Sequence, residues 1–162
     1  MTDLTRYLPA IFVALSAPFA CANEPAADPL PPLGAWTSTC DAWGVAATCT
    51  SVWSQGQHAR HRVQDYAIVS RADDRQIFAG RGVYHIAADG VEGMWEDSRG
   101  VIQAVSGTYE NGVLKVMWGD PQTEIGRSVY AFQDDALRVE DSVLTDQGWR
   151  AFMTIEYEPP AR

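Results

Sequence analysis

Only one lysine, Lys115, occurs in the 162 residues, against 21 acidic side chains, and the formal net charge is −9. With 12 basic side chains outnumbered by 21 acidic ones, the net negative field repels a phosphate backbone, which argues against nucleic acid and anionic membranes as partners. The acidity survives loss of the N-terminal segment, because Asp3 and Arg6 cancel. Sustained helical periodicity is missing from Gly34 onward, which disfavours a bundle. There is no Gly-x-Ser-x-Gly elbow, no phosphate-cradling glycine loop and, once a leader is removed, no free cysteine beside a histidine. These absences remove the common signatures of hydrolases, nucleotide binders and thiol nucleophiles. A barrel enzyme working with one acid and a shaped apolar wall leaves no such motif and stays open as an alternative.

Long apolar runs are also scarce. The one that occurs, Leu8 to Phe19, is broken by Pro9 and Pro18 and is too short to span a bilayer comfortably. With Arg6 before it and Ala20-Cys21-Ala22 after it, residues 1–22 read as a cleaved export signal. Of three cysteines, cleavage discards Cys21 and leaves Cys40 and Cys49, an even pair for which an oxidising compartment predicts a disulfide. The expected product is periplasmic or secreted, with no stable transmembrane segment. The competing reading has Cys21 carry a lipid, although Pro18 stands where such a signal favours leucine. Residues 23–33 hold Pro25, Pro29, Pro31 and Pro32, and this stretch is expected to be a solvated linker. One domain, residues 34–160, follows.

What the chain does have is aromatic side chains, glycines and short alternating runs separated by turn residues, the pattern of an all-β protein. Ten strands are predicted, at 34–40, 48–54, 62–70, 76–87, 91–97, 101–110, 113–119, 125–132, 137–144 and 149–158. The expected architecture is a single antiparallel up-and-down barrel of about 8–10 strands.

Turn chemistry extends this to side-chain facing. A two-residue Asn111-Gly112 loop sets Tyr109 opposite Leu114 and Gly107 opposite Val116. A two-residue Asp89-Gly90 loop sets Ile86 opposite Gly93, Tyr84 opposite Trp95 and Gly82 opposite Asp97. A three-residue loop, Ser98-Arg99-Gly100, joins the two hairpins with their apolar faces on one side. The shared inner face then carries Phe78, Tyr84, Ile86, Trp95, Asp97, Gln103, Val105, Tyr109, Leu114, Val116 and Trp118, while Arg81, His85 and Glu96 face out. Gly80, Gly82, Gly93 and Gly107 on that face are expected to leave space. Cys40 opposite Cys49 would place Trp36 opposite Trp53 and close an eight-residue loop worth roughly 2–3 kcal/mol by chain entropy.

Gly34-Ala35-Trp36 at the start of the first strand resembles the Gly-x-Trp element of the lipocalin-like, or calycin, group. The run from Gly93 through Trp95, Asp97 and Arg99 to Gly100 is similar to an uncharacterised bacterial family of lipocalin-like β-barrel domains. So are Gly107-Thr108-Tyr109, Leu114, Glu140 and a last strand ending in Tyr157. The likeness covers most of residues 34–160 and implies the barrel fold, without specifying an activity. The Cys40/Cys49 pair and the export signal depart from it and argue against a cytoplasmic role.

The leading expectation is an interior site for a small hydrophobic or aromatic molecule, walled by Tyr84, Trp95, Tyr109 and Trp118 and oriented by Asp97, Gln103 and Arg127. No cofactor is implied. Asp97 has two readings: a general acid or base of a barrel enzyme, or a carboxylate capping the Ser98–Gly100 turn. Arg127 shares a face with Glu140 if the Asp134-Asp135 loop has two residues, and with Asp141 if it has three. Either pairing makes it a structural ion pair as readily as a ligand clamp. His58-Ala59-Arg60-His61, with Asp65 following, carries metal-ligating atoms, but Arg60 and Arg62 oppose a cation, so a solvated loop and no metal are expected. A third expectation is an envelope protein-interaction module with a filled core.

Overall fold

The computed structural model describes residues 30–133 and 136–158. The expected export signal, with Cys21, most of the proline-rich stretch and the residues from 159 onward lie outside the described residues. Ten antiparallel strands follow one another: β1 (Gly34–Ala42), β2 (Val45–Gln55), β3 (His61–Ser70), β4 (Gln76–Ala87), β5 (Gly90–Asp97), β6 (Ile102–Glu110), β7 (Val113–Asp120), β8 (Glu124–Gln133), β9 (Ala136–Thr145) and β10 (Gly148–Tyr157). They form a single up-and-down sheet in sequence order, and no helix occurs among the described residues. β1 approaches β10 through the Thr37–Glu158 bridge, where Glu158 N–H donates to Thr37 C=O at 3.1 Å, so the sheet is nearly closed into a barrel. Near-closure leaves little unpaired edge to attract another chain.

Three turns explain the register. Asn111 and Gly112 both have positive φ (51° and 76°), the backbone of a two-residue hairpin turn, and Tyr109 pairs with Leu114 and Gly107 with Val116 as expected. The three-residue loop after Asp97 also forms, with Gly100 at φ 84° and Trp95 opposite Gln103. The β4–β5 turn differs. Ala87 pairs with Gly90, so the loop is Ala88-Asp89, and Tyr84 sits opposite Gly93, Gly82 opposite Trp95 and Gly80 opposite Asp97. The pairing slips by two residues rather than one, so every side chain keeps its face.

The first hairpin is corrected in the same way. Its turn is Trp43-Gly44, at φ 56° and 87°, capped by Asp41 Oδ1 accepting from Gly44 N–H at 2.7 Å. Cys40 therefore stands opposite Ala47 and Trp36 opposite Ser51. The Cys40–Cys49 disulfide forms on the diagonal, with Cα atoms 6.0 Å apart.

One end of the barrel is solid. Trp53 stacks on Tyr84 (5.6 Å between centroids, 20° between planes) and meets Tyr130 and Phe132 edge-on at 5.4 Å each, while Phe132 also takes the edge of Trp36 at 5.9 Å. Aromatic edge-to-face packing fills volume with few voids. Leu30 packs on this core and Pro31 is fully buried, where the buried Arg62 donates through Nε to the Pro31 carbonyl at 2.9 Å. The last residues of the supposed linker thus belong to the barrel, because burying two apolar side chains outweighs solvation of that short segment.

Candidate functional site

Above the ring cluster the interior is hollow. A cavity of about 400 Å³ lies between the strands. Its floor is Tyr84, Tyr130, Gln64, Val116 and Val139; at its outer end stand Trp43, Phe78, Trp95, Arg99, Arg150 and Phe152. Trp43 is 62% and Phe152 43% exposed, so apolar rings meet solvent at the mouth. Phe152 gets there because it is the extra residue of a bulge between Ala151 and Met153, which re-aims a side chain that strict alternation would place elsewhere.

The floor is held by a buried hydrogen-bond chain. Tyr84 O–H donates to Gln64 Oε1 at 3.0 Å, Gln64 Nε2 donates to Ser51 Oγ at 3.1 Å, and Trp53 Nε1 donates to the same oxygen at 3.0 Å. A second chain runs up the wall. Trp118 Nε1 donates to Ser128 Oγ at 3.1 Å, and the Ser128 hydroxyl donates to Asp141 Oδ1 at 2.6 Å. Burial pushes the Asp141 carboxyl up to about 6; the Ser128 hydrogen bond opposes that rise and neighbouring Glu140 adds to it. No arginine pairs with Asp141 among the ion pairs of the described residues.

Phenols surround this carboxyl. Tyr66 O–H points to Met153 Sδ at 3.5 Å, and the buried Tyr157 hydroxyl lies beside Tyr66 with no hydrogen bond of standard geometry. Burial raises the pKa of Tyr66, Tyr84, Tyr130 and Tyr157, so all four remain neutral donors at physiological pH. A largely apolar chamber with one buried carboxyl, Asp141, and several neutral hydroxyls, Glu124 being exposed, can solvate a single polar group on an otherwise apolar guest.

Of the seven residues expected to form the site, Tyr84, Trp95, Gln103 and Trp118 line the cavity. The other three are placed elsewhere. Tyr109 faces inward but lies near Arg62 at the closed end. Asp97 caps its turn: Oδ1 accepts from the backbone N–H of Arg99 (2.8 Å) and Val101 (3.3 Å), and Oδ2 from the Arg99 guanidinium (2.7 Å). Burial would raise its pKa, but these bonds outweigh burial and hold it below the usual carboxylate range. An ionised, fully engaged carboxylate outside the cavity is a poor general acid or base.

Arg127 lies on the outer face. Gln133 pairs with Ala136, the two-residue alternative, so Arg127 shares the outside with Glu140 at 3.8 Å and sits 4.6 Å over the ring of Trp149. The same parity turns Asp141 inward, directly opposite Ser128.

The glycines also behave differently from expectation. A Cβ at Gly80 would stand 2.1 Å from the Trp95 ring, one at Gly82 2.4 Å from the Tyr84 hydroxyl, and one at Gly126 2.0 Å from Trp118. Gly93 and Gly107 are closed off by strand backbone, at 2.2 Å from Val83 O and 1.8 Å from Lys115 O. Glycine at 80, 82 and 126 lets rings lie flat against the wall, and the chamber is the space those rings vacate.

Neither the protein-family models nor the curated proteins compared with this chain gave a match.

Proposed function

We propose that this chain is an exported, lipocalin-like barrel that binds a small, largely apolar or aromatic molecule in its interior. The observation that carries this reading is the chamber of about 400 Å³ beneath Trp95 and Trp118, at the smaller end of the roughly 300–1,000 Å³ typical of small-molecule pockets. Apolar rings supply the contact area, and the Asp141–Ser128 pair receives the one polar group of the guest. The Cys40–Cys49 disulfide supports a periplasmic or secreted location. The Gly-x-Trp start and the ten-strand meander support kinship with the calycin group.

The test is a titration of intrinsic tryptophan fluorescence with small apolar probes. Saturable quenching or enhancement that weakens in Trp118→Ala is the expected result, and an unchanged signal in both proteins would overturn the reading.

A second reading gains support from Asp141, a carboxyl facing the chamber whose pKa burial pushes up to about 6. In it the barrel is an enzyme and Asp141, rather than Asp97, moves a proton on the bound molecule. Asp141→Asn that retains probe binding but loses turnover of a candidate substrate separates this reading from simple carriage.

A further inference from the structure

The chain has three histidines, and all three converge on one patch of the outer surface, away from the cavity lining. His61 in β3 stands directly opposite His85 in β4, with ring centroids 5.1 Å apart. His58, in the turn that leads from β2 into β3, brings its ring to 5.2 Å from His61 and 5.9 Å from His85. One ring nitrogen from each lies within 4.8 Å of the others. Histidines 24 residues apart in sequence meet here only because the β3–β4 register joins them.

The turn is built to hold this arrangement. Arg60 N–H donates to His58 Nδ1 at 3.2 Å, which places the proton of the neutral ring on Nε2, so this exposed imidazole must release that bond when it ligates. The Gln55 side-chain amide donates to the carbonyls of both His58 (2.7 Å) and His61 (3.1 Å). Gly56 makes room for His61, since a Cβ at that position would sit 2.6 Å from the His61 Cβ. His85 Nδ1 is buried and has no hydrogen-bond partner, a costly condition for a ring nitrogen unless something else engages the imidazole.

The arginines that argued against a cation are directed elsewhere. Arg62 turns to the inner face and bonds Pro31 C=O and Gln55 Oε1, and Arg60 donates through Nε to the Ile86 carbonyl. Glu92 is the cross-strand neighbour of His85 on the same outer face and supplies a compensating negative charge.

We propose that His58, His61 and His85 form a binding site for a divalent transition metal of the Zn²⁺, Cu²⁺ or Ni²⁺ class. Imidazole nitrogens suit these borderline ions, and three protein ligands leave a coordination position open to solvent. Bond lengths of about 2.0–2.1 Å put ligand nitrogens about 3.3 Å apart around a tetrahedral ion, so modest side-chain rotations of the half-buried pair and the exposed His58 close the site. The site is independent of the cavity and holds whether or not an apolar guest binds there.

The experiment is a calorimetric titration of the tag-free protein with Zn²⁺ and with Cu²⁺, alongside His85→Gln and His58→Gln variants checked for fold by circular dichroism. One ion per chain at micromolar concentration is expected, weakened about a hundredfold or more in each variant, since even outer-shell changes cost about 10–100-fold. Copper paramagnetic resonance on the unmodified protein should show coupling to imidazole nitrogens, a readout that needs no variant. Absence of saturable binding, or a His85→Gln protein that binds as tightly as the parent, overturns the proposal.

Discussion

Asp141 accepts a 2.6 Å hydrogen bond from Ser128 directly across the β8–β9 pair, and both side chains face the interior chamber. This pair is the buried acidic centre of a largely apolar space, and its protonation is coupled to stability. The folded-state pKa, about 6, lies above the ordinary aspartate value of 3.8. Between these values the folded protein holds a proton that the unfolded chain has released, so this group costs stability progressively as pH rises from about 4 to about 6.

The cost is roughly 2–3 kcal/mol once both states are ionised. Asp141→Asn should therefore be more stable relative to the parent at pH 8 than at pH 4.5, by an amount of that order. Urea unfolding at the two pH values measures it. An equal difference at both would show that Asp141 is not held protonated by its surroundings.

Gly126→Ala should destabilise the barrel by about 1–3 kcal/mol, because the added methyl overlaps the Trp118 ring that lies across that position. Thermal unfolding reads the loss, and the Trp118 emission should shift to longer wavelength as the ring is displaced. Gly148→Ala has no neighbour within 4 Å and meets only the strain of its φ of 101°, so Trp118 emission should not change.

Replacing both Cys40 and Cys49 by serine should cost roughly 2–3 kcal/mol through the freed unfolded chain. The hairpin pairing should persist, because the Trp43-Gly44 turn sets it independently of the sulfur bridge. Hydrogen exchange of the β1 and β2 amides checks the second point.

Arg127→Ala should leave interior binding unchanged. Its guanidinium lies outside, over Trp149 and beside Glu140, so the expected consequence is a loss of about 0.5–1 kcal/mol in stability from the ring contact alone. A fall in affinity for an apolar probe would put Arg127 back in the binding path.

Much of the fold was legible because side-chain facing in a meander depends on parity. Asn111-Gly112 and Gly100 announced their turns through residues that tolerate positive φ. The Asp89-Gly90 signal was misread by one position, and Trp43-Gly44 carries a tryptophan where a small polar residue would have advertised the turn. Both errors shifted the pairing by two, so Tyr84 and Trp95 in the β4–β5 pair still faced inward, while Gln103 and Trp118 follow the turns that were read correctly.

The site was only half legible for a related reason. In β8 the outer face carries Ile125 and Val129 while the inner face carries Gly126 and Ser128, so hydrophobicity pointed the wrong way for Arg127 and hid Ser128. Asp141 stands beside Glu140, and which of them faces inward depended on the length of one acidic loop. The histidine patch required the β3–β4 register, which a five-residue connection between those strands does not announce.

The most direct test of the hollow interior is a titration of the protein with a neutral fluorescent apolar probe such as N-phenylnaphthylamine, with Val139→Trp as the comparison. Val139 lies on the chamber floor, and an indole there narrows the space from within. The account predicts saturable binding at one site in the parent protein and clearly weaker binding in a Val139→Trp protein that remains folded by circular dichroism. Equal binding by the two proteins, or none by the parent, would contradict it.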